Sequence, residues 1–470
     1  MSYRLEKDFL GEKSVPSWAY YGVQTMRAAE NFPITGTPIK EELVKALAEV
    51  KKAAAQANMD THMLPRNIGM AIVQAAEEIS AGALSEHFIV DSIQGGAGTS
   101  INMNMNEVLA NRALEIMGKE KGEYFFCSPN NHVNMSQSTN DTVPTAIKIA
   151  AYRLSERLIR IVTALVEKLF EKAKQFDPIL KMGRTHLQDA VPIRLGQEFS
   201  AYARVIARDR ERIIRASEEL LSVNMGATAV GTGLNADTKY IERVTRHLSE
   251  QLGIPVKTAE DLVDSTQNTD AYTALSSALK VFAINLSKIC NDLRLMASGP
   301  RAGFNEIRLS PMQPGSSIMP GKVNPVLPEV INQIAFQIMG NDHTICLAAE
   351  AGQFELNVMS PVIAYNLLQS LSILGNGLDV FLRNAVEDLE ANEEVCKQYV
   401  NQSFGVLTAL SPHLGYEVAS RLVKEAIQTG SSIKEICLEH QFLSEDELEE
   451  ILNPYEMTTP GIAGARFKIR

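Results

Sequence analysis

The sequence predicts a mainly α-helical protein built around long bundled helices, and two patterns carry that expectation. The first is a set of apolar seams with steps of four and three residues. One runs Leu275, Leu279, Phe282, Leu286, Ile289, Leu293, Met296, and a second Leu367, Leu371, Leu374, Leu378, Phe381, Ala385. A third runs Ile147, Ala151, Leu154, Leu158, Ile161, Leu165, Leu169. Residues spaced in this way share one helix face, so each run reads as a long helix with a buried stripe. The second pattern is helix-start chemistry. Ser136-Gln137-Ser138-Thr139-Asn140-Asp141 stands ahead of Val143-Pro144-Thr145, and Ser444-Glu445-Asp446-Glu447 opens another segment. Short polar side chains there can accept the orphan N–H groups of a first turn.

The elements follow in order. As far as about Asn140 the chain is broken by Pro16, Pro33, Pro38, Pro65 and the turn Gly95-Gly96-Ala97-Gly98, with an Ala-rich helix over Val44 to Ala57. The three seams then read as core rather than site. Pro361 is expected to interrupt the helical region after Ala349, because proline lacks an N–H and clashes in a helix interior. From about Glu394 the chain is shorter in period and more charged. Seams this long leave apolar surface that an intersubunit bundle would cover.

Composition bounds the function. A chain of 470 residues exceeds one ordinary core and predicts two or three domains. With 45% hydrophobic and 21% charged residues it reads as a soluble globular protein, and its apolar runs are too short for a membrane span. The first eight residues have no apolar signal core. Cys127, Cys290, Cys346, Cys396 and Cys437 are scattered, without metal-ligand or disulfide spacing, which fits a reducing cytoplasm. A net charge of −11 without a basic run argues against nucleic acid. A site for an anion must therefore be locally positive.

One segment carries chemistry. Gly315-Ser316-Ser317-Ile318-Met319-Pro320-Gly321-Lys322-Val323-Asn324-Pro325 places two hydroxyls, a cation and an amide in a loop punctuated by glycine and proline. A hydroxyl beside a buried ammonium can become an alkoxide, and hence a base. Gly315 and Gly321 are expected to act as hinges of a lid. A polar surface turn is the alternative.

Three further segments stand upstream: Gly98-Thr99-Ser100-Ile101-Asn102-Met103-Asn104, His132-Val133-Asn134-Met135-Ser136-Gln137-Ser138-Thr139-Asn140-Asp141, and Gly183-Arg184-Thr185-His186-Leu187-Gln188-Asp189-Ala190. Together with the loop, whose G-S-S-x-x-P-x-K-x-N matches at every defined position, they resemble the active-site segments of the fumarase/aspartase superfamily. The resemblance runs from Asp8 to the C-terminal region. Fumarases typically read G-T-Q-S-N-M-N and Ser-Ser-Asn-Asp where this chain reads Gly98 to Asn104 and Ser138-Thr139-Asn140-Asp141. The details thus resemble the aspartate ammonia-lyase branch.

The resemblance implies a three-domain subunit, with a domain over residues 1–140, a long-helix domain over 141–393 carrying the loop 314–325, and a small helical domain over 394–470. It implies a homotetramer whose central helices merge and whose sites are each shared by three subunits. The implied reaction is reversible deamination of L-aspartate to fumarate and ammonia through an aci-carboxylate, with no required cofactor and no metal ligands. Ser316 would take the C3 proton. Lys322, Asn324 and Thr185 would grip the α-carboxylate, and Ser317 the β-carboxylate. Thr99, Ser138, Thr139 and Asn140 would add neutral donors, which release a dianionic product more readily than arginines would. His186 would lie near the leaving amine, oriented by Glu329. His132 matches a position of a second dicarboxylate site in fumarases and is expected to be structural or peripheral. A class II fumarase and a non-catalytic crystallin-like protein are the alternatives. Argininosuccinate and adenylosuccinate lyases fit the Thr99 and Ser138 segments poorly.

Overall fold

The structure is a computed structural model that describes residues 2–467. Met1 and residues 468–470, the outer ends of the expected first and third domains, lie outside the described residues. Helices dominate, as the seams predict. In chain order they are α1 (Val23–Asn31), α2 (Glu41–Asp60), α3 (Arg66–Ser80), α4 (Thr99–Ile116), α5 (Thr139–Gln175) and α6 (Leu195–Glu218). Next come α7 (Thr238–Leu252), α8 (Leu262–Gln267), α9 (Asp270–Met296), α10 (Val326–Glu350), α11 (Ser360–Phe381) and α12 (Glu393–Gln402). The C-terminal part adds α13 (Ser411–Leu414), α14 (Tyr416–Thr429), α15 (Ile433–Glu439) and α16 (Glu445–Ile451). Two antiparallel hairpins join them: β1 (Tyr3–Asp8) with β2 (Gly11–Pro16), and β3 (Leu180–Thr185) with β4 (Gln188–Arg194).

The chain forms two compact units. One comprises Met1–Arg160, Asp209–Ile284 and Ile334–Asn376, the other Ile161–Arg208, Asn285–Gln333 and Gly377–Arg470. The seams lie on α9, α11 and α5. Every seam residue on α9 is buried, as is the second seam, which continues past the end of α11 to Ala385. Each leucine so buried contributes about 2 kcal/mol relative to an exposed one. On α5 the seam departs from the expectation at one residue. Ile161 is half-buried and Val162 is buried, so the stripe steps 158, 162, 165, 169. Over a helix as long as α5, a period of 3.6 drifts away from a strict 3.5 repeat, which moves the buried position by one residue.

Pro361 lies at the second position of α11, after a non-helical segment that follows α10. A proline is tolerated there because first-turn N–H groups have no intrahelical partner. Ser444 caps α16 with a reciprocal capping box to Glu447, as its sequence suggests.

In the first unit the Ala-rich face of α2 allows close packing against α3 and α7. Glu107 of α4 accepts the N–H groups of Gly22, Gln24 and Thr25 at 2.8, 2.9 and 3.1 Å, so it caps α1 from outside. In the second unit α12 packs on β3. The C-terminal helices keep a core of their own from Leu407, Leu410, Leu422, Ile436, Leu448 and Ile451. Among the described residues no helix is long and apolar enough to cross a membrane. All five cysteines are free; Cys346 is half-buried and the other four are buried.

Candidate active site

The candidate residues fall in both units. Thr99, Ser138, Thr139 and Asn140 belong to the first, where two helix N-termini meet. Gly98, at φ +92°, precedes Thr99 at the start of α4. A side-chain carbon at 98 would sit 2.9 Å from Val143 of α5, so only glycine allows this approach. Asn102 Nδ2 of α4 donates to Thr139 Oγ1 at 3.2 Å, and Thr99 Oγ1 donates to the Gly96 carbonyl at 2.7 Å.

The entry to α5 is stitched down on its far side. Ser138 N–H donates to Asp141 Oδ1 at 2.9 Å, and Ser138 Oγ accepts from Asn140 N–H at 3.2 Å. Asp141 Oδ2 accepts from Thr228 N–H at 3.0 Å and Gly226 N–H at 3.3 Å. Burial pushes the Asp141 carboxyl up to about 7, while these N–H groups and Lys51 pull the other way. Pro144 cannot donate to the Asn140 carbonyl four residues back; Asn224 Nδ2 takes its place at 2.9 Å. Asn140 Nδ2 in turn donates to the Ala229 carbonyl at 2.7 Å. Two helix starts bearing hydroxyls, with their dipoles' positive ends side by side, form a place where an anion is favoured without a formal cation.

Thr185, His186 and the 314–325 loop belong to the second unit. His186 and Leu187 are the two-residue turn between Thr185 and Gln188 of the β3–β4 hairpin, with φ of +54° and +61°. Asn-Gly is the usual occupant of such a turn. Here two ordinary residues hold the left-handed conformation, at a cost on the order of 1 kcal/mol each. The strand below is fixed by charge. Arg184 Nη1 meets Glu306 Oε1 at 2.6 Å, and its guanidinium lies 4.4 Å from the Phe304 ring centre. Lys181 Nζ sits 3.0 Å from Glu198 and 2.9 Å from Glu306. Burial pulls Lys181 down, but the two carboxylates outweigh it and hold it above its ordinary value. Thr185 and His186 are exposed at the tip.

The loop is closed at its base. Gly315 N–H donates to the Lys322 carbonyl at 2.7 Å, and Asn324 Nδ2 donates to the Gly315 carbonyl at 3.0 Å. A side-chain carbon at 315 would lie 2.7 Å from that Lys322 oxygen. Gly315 is therefore a point of close approach rather than a free hinge; Gly321, at φ +81°, has open space around it. Ser316 Oγ accepts from the N–H groups of Ile318 at 3.2 Å and Met319 at 3.1 Å. Two backbone donors on a hydroxyl oxygen favour its anionic form and leave its own proton unengaged. The buried ammonium expected beside this hydroxyl is not found in the single chain, where Lys322 is exposed, and the two amides stand in its place. Ser317 and Lys322 are exposed. Glu329, in the first turn of α10, accepts from Gln333 at 3.4 Å rather than from His186.

Several supporting residues are silent in the sequence. Asn102 and Asn134 stand inside the matched segments, but nothing in their spacing marks them as supports. Gly226-Ala227-Thr228-Ala229, which holds Asp141 and Asn140, carries only a glycine as its signal. Lys51 has no signal at all, since a lysine in an Ala-rich helix reads as solvated. It is fully buried, with Nζ 3.0 Å from Asn134 Oδ1 and 2.9 Å from Gln137 Oε1. His132 Nδ1 accepts from Ser128 N–H at 2.8 Å, within its own turn.

Comparison with known proteins gives the family. Residues 11–340 match the family described as Lyase, and residues 406–459 match Fumarase C C-terminus. The chain is 63% identical over 462 residues to aspartate ammonia-lyase of Bacillus subtilis (strain 168), covering 98% of this chain and 97% of the relative. It is 47% identical over 467 residues to aspartate ammonia-lyase of Escherichia coli (strain K12), covering 99% and 98%. Among solved structures, the cobalt-bound fumarate lyase:delta crystallin from Brucella melitensis superposes with a TM-score of 0.94 at 45% identity, covering 98% of this chain and 100% of that one. A class II fumarase from Schistosoma mansoni gives a TM-score of 0.93 at 34% identity with the same coverage. With family matches over both parts and near-complete identity-bearing alignments, the chain belongs to the Lyase family, in the aspartate ammonia-lyase branch of the fumarase/aspartase superfamily.

Proposed function

We propose that this chain converts L-aspartate reversibly to fumarate and ammonia, with Ser316 as the base that takes the C3 proton. The observation that carries this role is the pair of backbone N–H groups on Ser316 Oγ, which stabilise an alkoxide there. The C3–H bond breaks, the proton goes to Ser316 Oγ, and the electron pair moves into the β-carboxylate as an aci-carboxylate dianion. Its collapse forms the C2–C3 double bond and expels the amine from C2 as ammonia. Ser317 and the hydroxyls of Thr99, Ser138 and Thr139, with Asn140, meet the charge that builds on the β-carboxylate. Lys322 and Thr185 hold the α-carboxylate with Asn324, whose second amide proton remains free of the loop clip. His186 positions the amine; Glu329, which within one chain meets Gln333 instead, is read as orienting His186 only across subunits of the assembled site. Proton transfer and elimination need no redox group, so no cofactor is assigned.

The site is completed in a homotetramer from three subunits. Two observations support this. Thr99, Thr185, His186, Ser317 and Lys322 are exposed in the single chain. The long helices also carry large apolar side chains in solvent, among them Phe336 at 62% and Leu347 at 58% exposure. The division at residues 140 and 393 is kept as part of this reading. The separate C-terminal family match and core support its second boundary. A cytoplasmic location suits five free thiols.

The test is Ser316→Ala. The variant should keep its fold and assembly and lose about 100-fold or more of fumarate release from L-aspartate. Near-wild-type turnover in the folded variant removes Ser316 as the base. Fumarate consumption that requires ammonium, rather than water alone, separates this activity from that of a fumarase.

A further inference from the structure

A fully buried ammonium behind a binding segment calls for a reason. Replacing a buried charge by an apolar side chain of similar volume is often neutral or stabilising. Lys51 lies on α2 among Leu47, Ala48, Ala54 and Ala55, where a methionine would pack without that penalty. Burial pushes its ammonium down to about 7, against the pull of Asp141. What Lys51 touches is a chain of amides that ends at Thr139.

Three donors converge on Asn134 Oδ1: Lys51 Nζ at 3.0 Å, Asn102 Nδ2 at 3.1 Å and Asn106 Nδ2 at 3.1 Å. Asn102 Nδ2 also donates to Thr139 Oγ1, and Asn102 Oδ1 accepts from Thr142 Oγ1 at 3.2 Å. Asn134 Nδ2 donates to the Gln137 carbonyl at 3.3 Å, and Gln137 gives its own Oε1 to Lys51 at 2.9 Å. An amide side chain can present oxygen or nitrogen to either neighbour, whereas an ammonium, the form Lys51 takes below about pH 7, can only donate. The direction of the chain is thus set at one end, by Lys51 together with the Gln137 carbonyl, which can only accept and so keeps Asn134 Nδ2 on its side. Lys51 requires the Asn134 oxygen; that oxygen draws the Asn102 amide nitrogen; and Asn102 then donates to Thr139 rather than accepting from it.

We infer that Lys51 is a positioning residue that fixes the polarity of this chain, so that the Thr139 hydroxyl proton faces the substrate carboxylate instead of turning inward to Asn102. The inference rests on the reading of Thr139 as a substrate ligand. Without the ammonium, Asn134 is held only by its 3.3 Å bond to the Gln137 carbonyl; when that bond yields, Asn134 and Asn102 both reverse, and Thr139 then donates to Asn102 Oδ1 and meets the carboxylate lone pair to lone pair. No new bond to substrate is asked of Lys51.

A double-mutant cycle on the full-length enzyme tests this with L-aspartate. Thr139→Val alone should lower kcat/KM about tenfold or more, the loss of one hydrogen bond to a charged group. Lys51→Met should lower it by a similar factor, and the double variant should be no worse than Thr139→Val. Additive losses, or an unchanged kcat/KM in folded Lys51→Met, overturn the inference while leaving Thr139 as a ligand. An unchanged kcat/KM in Thr139→Val overturns the ligand reading itself, and the inference with it. If Lys51→Met does not fold, Asn102→Asp serves: it keeps the shape but can only accept, so it should reproduce the Thr139→Val loss. Wild-type kcat/KM in Asn102→Asp overturns the proposed polarity.

Discussion

The Gly315 amide N–H lies 2.7 Å from the Lys322 carbonyl oxygen, and this single bond ties the residue before Ser316 to the loop's only lysine. The loop is therefore a clipped ring, not a free flap. Its serine end and its lysine end move together, with the tip residues between them.

Gly315→Ala should break the clip, because the added carbon would sit 2.7 Å from that oxygen and 3.0 Å from the Asn324 nitrogen. The expected result is a fall in kcat/KM of about 100-fold with the unfolding midpoint close to wild type, since the loop is exposed. A variant that loses stability and keeps its turnover would mark the clip as structural.

Shared sites predict complementation. Ser316→Ala and the double variant Ser138→Ala/Thr139→Val are each expected to be nearly inactive. Random mixing of the two in a tetramer should restore about a quarter of the sites, if the two groups come from different subunits. Activity assays after mild dissociation and reassembly, with exchange confirmed by mass, read this directly. No recovery after confirmed exchange places both groups on one subunit.

The His186-Leu187 turn predicts an order of stabilities. Leu187 is exposed and left-handed, so Leu187→Gly should be at or above wild type and Leu187→Val about 1 kcal/mol below it. Denaturant midpoints at constant slope measure this. A Val variant as stable as wild type would show that the turn carries no strain.

Asp91 predicts a pH dependence. Its carboxylate accepts from the N–H groups of Thr35, Gly36 and Ile93 and from the Thr35 hydroxyl at 2.7 to 2.9 Å. Burial pushes the carboxyl up, but these donors outweigh it and hold it below its ordinary value. A carboxyl depressed in the folded state adds stability above its unfolded value and loses it as pH falls through the folded one. Asp91→Asn should therefore cost about 2 kcal/mol at neutral pH, and the gap to wild type should narrow below about pH 4. A gap that does not change with pH would assign the cost to geometry rather than charge.

The helices are legible in the sequence because burial imposes period. Leu275 to Met296 and Leu367 to Ala385 show their buried faces in their spacing alone, and the one slip, Ile161 for Val162, is a matter of helical drift. The site is legible as segments, since Ser138, Thr139, His186 and Ser316 each stand in a recognisable string. Their supports are not. Lys51, Asn224 and Glu306 act across long sequence separations through hydrogen bonds or ion pairs, which leave no local period. Nearness in sequence makes the loop lysine look like the serine's partner, whereas the backbone turn at Ile318 and Met319 holds the serine and sends the lysine outward.

The sealed thiols have a practical side. Burial pushes Cys127 and Cys396 up to about 12 and Cys437 up to about 11, and Cys290 also rises. At neutral pH these four sulfurs are protonated and shielded, which leaves Cys346 as the main reactive background. With Cys346 replaced, a cysteine introduced at Ile318, 84% exposed on the loop, would take a maleimide dye nearly alone. The ring closed by Gly315 and Lys322 then becomes a fluorescent reporter, and the arrival of substrate can be followed by colour rather than by product.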